Sequence, residues 1–464
     1  MVFSGLTFLL LFLPLLLLVY FIRGSIRWRN GVLVVFSLVF YAWGEPVMVV
    51  LLVATTLINF LCARGIAKSQ RPAGRQLLLW LGVGLSLGSL VYFKYAGLLV
   101  STAAALLHLN LSFTAPRLPI GISFYTFQII TYTVDVYRGR VPVQNSFWRL
   151  LLYVSCFPQL IAGPIVQYGD VADALSRRTT TPADFTRGME RFFLGLGKKV
   201  LLANLCGSFL LTCLPEGTAP LSWGGAWLSA LGYTLQLYFD FSAYSDMAIG
   251  LGRVLGFTYG ENFQYPFVSL SPSEFWRRWH ISLGRFFREY VYIPLGGSRG
   301  SKLKTLKNLL IVWALTGLWH GASWNFLLWG LFWFLLQMVD KLLGKGYDRI
   351  PGVLRWGFTF GCTLIGFVIF YHTDLSLLMQ HLRALFGGGL PLLDEGVRQA
   401  LGEYGLFLPV AFVCALPLLP LIGGKLQKTA FAKPAAAVLS VGVGLLSLLF
   451  LIQQSYNPFI YFRF

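Results

Sequence analysis

The sequence predicts an all-α polytopic membrane protein of about eleven to thirteen helical segments, some of them re-entrant. Hydrophobic residues make up 56% of the 464 residues and charged residues only 12%, and the mean hydropathy is +0.68. These values lie far from those of a soluble domain. Many runs approach the roughly 20 apolar residues that cross a bilayer core of about 30 Å. Because Gly and Pro break several of these runs, we expect some segments to enter the membrane without spanning it.

The N-terminal part of the chain predicts helices separated by basic loops. No cleaved signal peptide is expected, because nothing basic precedes the first apolar run and no A-x-A site follows it. If the second and third runs form a hairpin, the basic loops before and after them lie on one side. That side is predicted to be cytoplasmic, which places the N-terminus outside. The apolar runs are Val2–Ile22, Gly31–Trp43, Pro46–Ala63, Leu77–Phe93 and Leu98–Leu111.

The middle of the chain contains segments that are expected to face protein rather than lipid. The stretch LPIGISFYTFQIITYTVDVYRGR is aromatic and rich in hydroxyl groups, and Trp148–Val166 is interrupted by Pro158, Gly163 and Pro164. Broken helices of this kind commonly line sites in membrane proteins. Further runs are Phe192–Cys213, Trp223–Phe239, Phe326–Leu343, Trp356–Tyr371, Leu375–Phe386, Tyr404–Ile422 and Ala435–Ile452. We find no soluble domain boundary, so residues 1–464 are predicted to form one membrane domain with its core motifs in 118–330.

The composition argues against several other functions. The formal charge of +19 comes largely from Lys and Arg in short loops beside apolar runs, which favours membrane topology over nucleic-acid binding. The six cysteines form no CxxC pair, and the five histidines are scattered, so no metal site is predicted. The sequence also contains no G-x-S-x-G elbow, no Walker lysine motif and no H-E-x-x-H motif.

The stretch from Ser271 to Asn325 contains two histidines in apolar surroundings. Ser271-Pro272-Ser273-Glu274 predicts a capped helix start, with the helix continuing to about Tyr292. At helical spacing, Arg277, His280, Gly284 and Arg288 would share one face. The flanking arginines would disfavour a charged His280, and they could bind the phosphates of a cytoplasmic coenzyme. The alternative is an interfacial helix whose arginines contact lipid headgroups.

The second histidine, His320, follows the apolar run Leu309–Leu318. Trp313, Gly317, His320, Gly321 and Trp324 are predicted to share a helical face, on which the glycines leave room for a substrate between two tryptophans. A neutral histidine in an apolar slot is a competent general base near pH 7. A purely structural, hydrogen-bonded histidine is the alternative.

Two carboxylates, Asp240 and Asp246, lie inside apolar sequence, where a charged group costs about 2.5 to 3.5 kcal/mol. Two interpretations remain open: direct contact with substrate, or a buried ion pair with an arginine. The candidate partners are Arg277, Arg278, Arg285 and Arg288.

The motifs together resemble the membrane-bound O-acyltransferase superfamily, in the branch of alginate O-acetyltransferase membrane subunits. The resemblance runs from MVFSGLTFLLLFLP to at least Gly330. It rests on YAWGEP, LPIGISFYTFQ, FPQLIAGP, QLYFDFSAYSDMAIGLG, EFWRRWHISLGRFFREYVYIPLGGSRG and LTGLWHGASWNFLLWG, among others. It implies a multi-helix fold around a central pore and acyl transfer from a cytoplasmic donor, with acetyl-CoA as substrate and no bound cofactor, to an acceptor outside.

The resemblance also assigns roles to residues. The family's near-universal histidine falls on His320, as general base, and its second motif histidine falls on His280. The remaining candidate substrate- or donor-binding residues are Asp240, Tyr244, Arg277, Arg288, Trp319 and Asn325.

The expected partners are membrane lipid, an extracytoplasmic acetyltransferase protein and a polysaccharide, reached directly or through a serine of that protein. The resemblance also leaves D-alanyl transfer and peptidoglycan acylation open. Competing functions are a proton-coupled transporter and a scaffold of a secretion complex. We expect a bacterial cell membrane as the location.

Overall fold

The computed structural model describes residues 1–109, 113–161, 163–387, 389–418 and 432–453, and in these residues it is helical and contains no strand. The predicted all-α polytopic fold is confirmed. The helices are α1 (Leu13–Phe21), α2 (Ile26–Ala42), α3 (Met48–Lys68), α4 (Pro72–Leu106), α5 (Ile122–Tyr137), α6 (Phe147–Ser155), α7 (Phe157–Leu160), α8 (Tyr168–Ser176), α9 (Pro182–Gly197), α10 (Asn204–Cys213), α11 (Trp223–Val254), α12 (Pro272–Arg278), α13 (Ile281–Phe287), α14 (Lys302–His320), α15 (Trp324–Leu343), α16 (Gly352–Tyr371), α17 (Leu375–Leu385), α18 (Glu395–Tyr404), α19 (Phe407–Cys414) and α20 (Ala432–Gln453). The described residues also include three π-helical segments, Phe8–Phe12, Lys198–Ala203 and Arg288–Tyr292, and two 3₁₀ turns, Pro266–Val268 and Gly344–Arg349.

Six helical stretches of the described chain are long and apolar enough to cross a membrane. They are α3, α4, α15, α16, the stretch Pro182–Cys213 and the stretch Pro434–Gln453. The protein is therefore a multi-pass membrane protein.

Some predicted boundaries are wrong. The runs Leu77–Phe93 and Leu98–Leu111 belong to one 35-residue helix, α4, up to Leu106. The sequence between them contains no proline, and its single Gly97 costs only about 1 kcal/mol relative to alanine. By contrast, the predicted break in Trp148–Val166 is confirmed, since α6 ends at Ser155 and α7 has four residues. Residues 110–111 and 419–422 of the predicted runs lie outside the described chain.

The described chain divides into two compact units, and helix α11 passes from one to the other at residues 243–244. The first unit comprises residues 1–193 and 244–260. In it, α3, α4 and α5 pack together around Asn59 of α3. Asn59 donates to Ser86 Oγ (2.8 Å) and accepts from Thr133 Oγ1 (2.8 Å). These bonds join three helices, and the predicted protein-facing character of α5 is confirmed because nearly all of its side chains are buried.

The second unit comprises residues 194–243 and 261–464 and contains the candidate site. Its apolar core is built from α10, α11, α12 and α14 to α19. Helices α14 and α15 approach so closely that a Cβ atom on Gly317 would collide with the carbonyl oxygen of Phe326, and one on Gly330 with that of Trp313. Glycine is therefore needed at both positions to bring α15 against the end of α14, where His320 lies.

Candidate active site

The helix that leads to His280 begins as the sequence predicts and ends much earlier. Ser271 Oγ accepts from the backbone N–H of Glu274 (3.2 Å), and the Glu274 carboxylate accepts from the backbone N–H of Leu270 (2.9 Å). The helix stops at Arg278, however, and His280 has left-handed backbone angles (φ 45°, ψ 53°). The prediction of a continuous helix to Tyr292 is therefore wrong. A non-glycine residue in this conformation stores strain, a feature that clusters at functional sites.

This break separates His280 from the arginines. Arg277, His280, Gly284 and Arg288 cannot share one helical face, because α12 and α13 meet at His280. Arg277 and Arg288 are exposed, so the structure does not bring these two candidate donor-binding residues together with the histidine.

His280 is held in one tautomer by its neighbours. Its Nδ1 lies 3.2 Å from Asn262 Oδ1, which also accepts from the Ser282 backbone N–H (3.2 Å) and Oγ (2.9 Å). Because Asn262 Oδ1 is an acceptor, Nδ1 carries the proton and Nε2 carries the lone pair in the neutral ring. No described residue hydrogen-bonds to this buried Nε2. His280 therefore presents a basic nitrogen of fixed position.

Burial accounts for the charge state of His280. The ring is 1% exposed and contacts Phe241 with 4.7 Å between ring centroids. Desolvation lowers the pKa of His280 from 6.5 to about 3, so the ring is neutral at physiological pH. The neutral state was predicted from flanking arginines, and that cause is wrong: the cause is the apolar surroundings.

His320 is the last residue of α14 and lies between aromatic rings. Its ring centroid is 4.9 Å from that of Trp329, 5.1 Å from that of Phe370 and 5.0 Å from that of Trp319. Trp324, which was predicted to frame the histidine, is instead the first residue of α15 and is half-exposed. The tryptophan of α15 that does contact His320 is Trp329. Sequence analysis missed it because the position of α15 against His320 follows from tertiary packing.

The glycines near His320 do not leave an open slot. Close to Gly317 lies the backbone of α15, and close to Gly321 lies the ring of Phe326. The prediction that both glycines make room for a substrate is wrong. They make room for α15, and so allow Trp329 to reach His320.

Trp319 connects the two histidines. Its ring centroid lies 5.8 Å from that of His280 and 5.0 Å from that of His320. Asn325 reaches the same place from α15, since its Nδ2 donates to the carbonyl oxygens of Ile369 and Phe370 (both 3.2 Å) and so positions the Phe370 ring on His320. We call His280, Trp319, His320 and Asn325 the histidine cluster.

Both carboxylates, the buried Asp240 and the partly buried Asp246, form ion pairs, but with partners that were not predicted. Asp240 Oδ1 lies 2.7 Å from Lys199 Nζ, and both side chains are almost inaccessible. Asp246 pairs with Arg191 (2.7 Å) in the first unit. Lys199 lies in a π-helical segment inside an apolar run, and a lysine in such a run is a signal that sequence analysis could have used.

The candidate residues Asp240 and Tyr244 both lie on α11, but they belong to different units of the chain. Asp240 immediately precedes Phe241, whose ring contacts His280, so α11 holds the ion pair one residue from the wall of the cluster. Tyr244 belongs to the first unit, where its ring stacks on Phe3 with 4.4 Å between centroids.

The cluster has the chemistry of a proton-transfer site. It offers imidazoles in aromatic, water-excluding surroundings, and a neutral histidine in such a place can take a proton from a hydroxyl group. In the described part of the chain, no three His, Cys, Asp or Glu side chains are grouped as metal ligands are.

A second pair of histidines, which sequence analysis missed, lies at the end of α16. His372 Nε2 is 2.9 Å from His381 Nδ1, and His381 Nε2 is 3.0 Å from the carbonyl oxygen of Ala226. The carbonyl requires a proton on His381 Nε2, so His372 Nε2–H donates to His381 Nδ1. This chain ties the end of α16, two residues after Phe370, to α11. Nothing in the spacing of the two residues indicates the pairing.

The pair predicts a loss of stability in acid. Burial lowers the pKa of both rings from 6.5 to about 4, that of His372 also through the neighbouring His381, while Asp374 acts in the opposite direction. Between pH 6.5 and 4 the unfolded chain therefore binds more protons than the folded one. The contribution of the two histidines to the free energy of unfolding is fully present above pH 6.5. It should fall by about 1.4 kcal/mol per pH unit for each histidine as pH approaches 4.

Thermal denaturation of the detergent-solubilised protein from pH 8 to 4.5 measures this effect. A His372→Leu/His381→Leu variant should have a lower Tm at pH 8 and a flatter acid slope, with the remaining slope due in part to His280. Substituting the exposed His108 with glutamine is the control for the loss of a histidine outside this pair. An unaltered slope in the double variant would contradict the assignment.

The fold and the cluster define an integral membrane protein with two buried histidines among aromatic rings. The sequence profile of the membrane-bound O-acyltransferase family matches residues 137–371, which include both histidines of the cluster. The chain belongs to this family and is an O-acyltransferase.

Three relatives indicate the branch of the family. The probable alginate O-acetylase AlgI of Pseudomonas aeruginosa is 42% identical over 85% of this chain and 76% of its own. The corresponding protein of Pseudomonas putida is 38% identical over the whole of both chains. The peptidoglycan O-acetyltransferase of Helicobacter pylori is 33% identical over 82% of this chain and 79% of its own. Membership of this enzyme family argues against the transporter and the scaffold.

Proposed function

We propose that the protein transfers an acetyl group from a cytoplasmic thioester, acetyl-CoA, to a hydroxyl group in the O-acetylation of an alginate-like exopolysaccharide. The acceptor is the polysaccharide itself or a hydroxyl of an extracytoplasmic partner protein that passes the group on. The similarity to proteins named as alginate O-acetylases, at about 40% identity over most of the chain, supports the substrate class.

The observation that carries the proposal is the histidine cluster within the family-matched region. His320 accepts the proton of the acceptor hydroxyl as its oxygen forms a bond to the thioester carbonyl carbon. The tetrahedral intermediate then collapses, the carbon–sulfur bond breaks, and the proton passes from His320 to the leaving thiolate. The products are an oxygen ester and a free thiol. The aromatic rings of Trp319, Trp329 and Phe370 keep water, a competing nucleophile, away from this step.

His280 has a supporting role in this mechanism. Its Nε2 lone pair is fixed by the Nδ1 contact with Asn262 and accepts a hydrogen bond from a substrate N–H or O–H group. Because desolvation keeps the pKa of this ring far below 6.5, it stays neutral and positions rather than transfers a proton.

The proposed orientation places the basic ends of the first unit in the cytoplasm and the N-terminus outside a bacterial cell membrane. Arg75, at the start of α4, donates to the carbonyl oxygen of Tyr137 at the end of α5 (3.1 Å). The connection between α3 and α4 at residues 69–71 and the residues 138–140 that follow α5 therefore lie on the same side, as the positive-inside rule requires.

The test uses the full-length protein in lipid nanodiscs with acetyl-CoA carrying a labelled acetyl group. Deacetylated alginate, with and without an extracytoplasmic acetyltransferase partner, is the first acceptor. Peptidoglycan glycan strands are the second, because one relative is named for that activity. Labelled alginate or labelled partner supports the proposal. Labelling of peptidoglycan alone would make peptidoglycan, and not alginate, the acceptor. Absence of donor turnover with every acceptor would overturn the proposal.

A further inference from the structure

The first unit contains a cavity of about 630 Å³ that has no part in the histidine cluster. It lies between the first three turns of α2, the first turn of α6 and the residues 144–146 that precede α6. Its volume is in the range of small-molecule and lipid sites, about 300 to 1,000 Å³.

Two arginines give the cavity a positive charge. Arg27 and Arg149 line it, each within the first turn of its helix, where the helix dipole adds positive potential. Arg149 Nη1 donates to Ser176 Oγ (3.3 Å), and no described carboxylate forms an ion pair with either arginine. The cavity is therefore complementary to an anion.

Two uncharged polar side chains of the lining, Asn30 and Gln144, are already engaged with the protein. Asn30 donates to the carbonyl oxygen of Leu175 (2.9 Å) and accepts from Arg178 (2.6 Å). Gln144 donates to Tyr168 Oη (2.9 Å) and accepts from the backbone N–H of Ser146 (3.0 Å). These bonds hold Asn30 and Gln144 in place, so the two guanidinium groups are the charged groups of the lining that can meet an incoming anion.

The remaining walls are apolar and continue to the outside of the protein. Ile26, Val34 and Val35 of α2 form one wall, and Val35 is 58% exposed. Trp148 forms the opposite edge and is 65% exposed, as tryptophans at a membrane interface often are. A soluble phosphate compound would make no use of this apolar surface, whereas an acyl chain would cover it.

We propose that the cavity binds an anionic phospholipid. Arg27 and Arg149 hold the headgroup phosphate, and the acyl chain lies along Val34, Val35 and Trp148. Basic pockets between transmembrane helices bind such headgroups in other membrane proteins. The proposal does not depend on the acyl-transfer function, because it rests on another unit of the protein.

Native mass spectrometry of the full-length protein in detergent tests the proposal with phosphatidylglycerol and phosphatidylcholine as probes. The first phosphatidylglycerol should bind at least tenfold more tightly than phosphatidylcholine. In an Arg27→Gln/Arg149→Gln variant, its Kd should rise by about thirtyfold, given the usual contribution of each arginine to anionic lipid binding. A Lys68→Gln/Arg71→Gln variant carries the same charge change at exposed positions outside the cavity, and should change the Kd by less than about threefold.

A third variant tests the cavity without changing charge. A Cβ atom on Gly31 would meet nothing within 4 Å, so Gly31→Phe should place a ring in the space and exclude the lipid, while Gly31→Ala should bind normally.

Three results would overturn the proposal. The first is equal affinity for the two lipids, and the second is a loss of phosphatidylglycerol affinity in the control variant as large as that in Arg27→Gln/Arg149→Gln. The third is unaltered phosphatidylglycerol binding in Gly31→Phe. Inorganic phosphate and coenzyme A are added as competitors. Displacement of the lipid by either at micromolar concentration would assign the cavity to a soluble phosphate compound instead.

Discussion

The His320→Ala variant is expected to transfer acetyl groups about 10²- to 10⁴-fold more slowly than the wild type, while Km for the thioester changes little. A general base contributes a factor of this size because it acts on the proton only as the new bond forms. The imidazole at this position is enclosed by Trp319, Trp329 and Phe370, so water is poorly placed to replace it. Single-turnover transfer from labelled acetyl-CoA in nanodiscs measures the rate directly.

Two further variants separate chemistry from packing. The glutamine of His320→Gln keeps most of the contacts with the surrounding aromatic rings and carries a polar amide. This variant should transfer acetyl groups as slowly as His320→Ala, while its Tm should be closer to that of the wild type. His280→Gln removes the fixed lone pair on Nε2 but leaves His320 in place. Its rate of acetyl transfer should be about tenfold lower than that of the wild type, since the role of His280 is a single hydrogen bond. A folded His320→Ala protein with the wild-type rate would exclude His320 as the base.

The features that sequence analysis predicted correctly are mostly local. The cap at Ser271 depends on residues within three positions, and the break in α6–α7 depends on Pro158 nearby. The apolar runs indicate the membrane class, and the motif resemblance indicated the two histidines that the family-matched region contains.

The incorrect or missing predictions involve tertiary contacts. His280 leaves the helical conformation where Asn262, eighteen residues earlier, binds its side chain and the Ile281 backbone. No periodicity in the sequence indicates that contact. Gly317 was interpreted as an opening, but the backbone of α15 occupies the space. The partner of Asp240 was sought among nearby arginines, whereas Lys199 lies 41 residues earlier in a π-helical segment.

The Lys199–Asp240 pair leads to a second large effect. Either Asp240→Asn or Lys199→Met should reduce stability by about 3 to 5 kcal/mol, because each removes the ion partner of a buried charge. A Lys199→Met/Asp240→Leu variant should recover most of that loss, since well-packed apolar side chains replace buried ion pairs at little or no net cost. Thermal and SDS-induced unfolding of the purified protein provide the measurement. Asp348→Asn, which removes an exposed carboxylate paired with Arg355, is the control and should cost less than about 1 kcal/mol.

The double variant also distinguishes the two interpretations of Asp240 that the sequence left open. If the carboxylate is purely structural, restoring stability should also restore acyl transfer, because Phe241 again supports the His280 ring. If Asp240 also contacts substrate, the double variant should be stable and still at least tenfold slower than the wild type. A single Asp240→Asn variant with wild-type stability and rate would contradict both interpretations. Because Asp240 is one residue from the aromatic wall of the cluster and almost inaccessible, we expect the structural outcome.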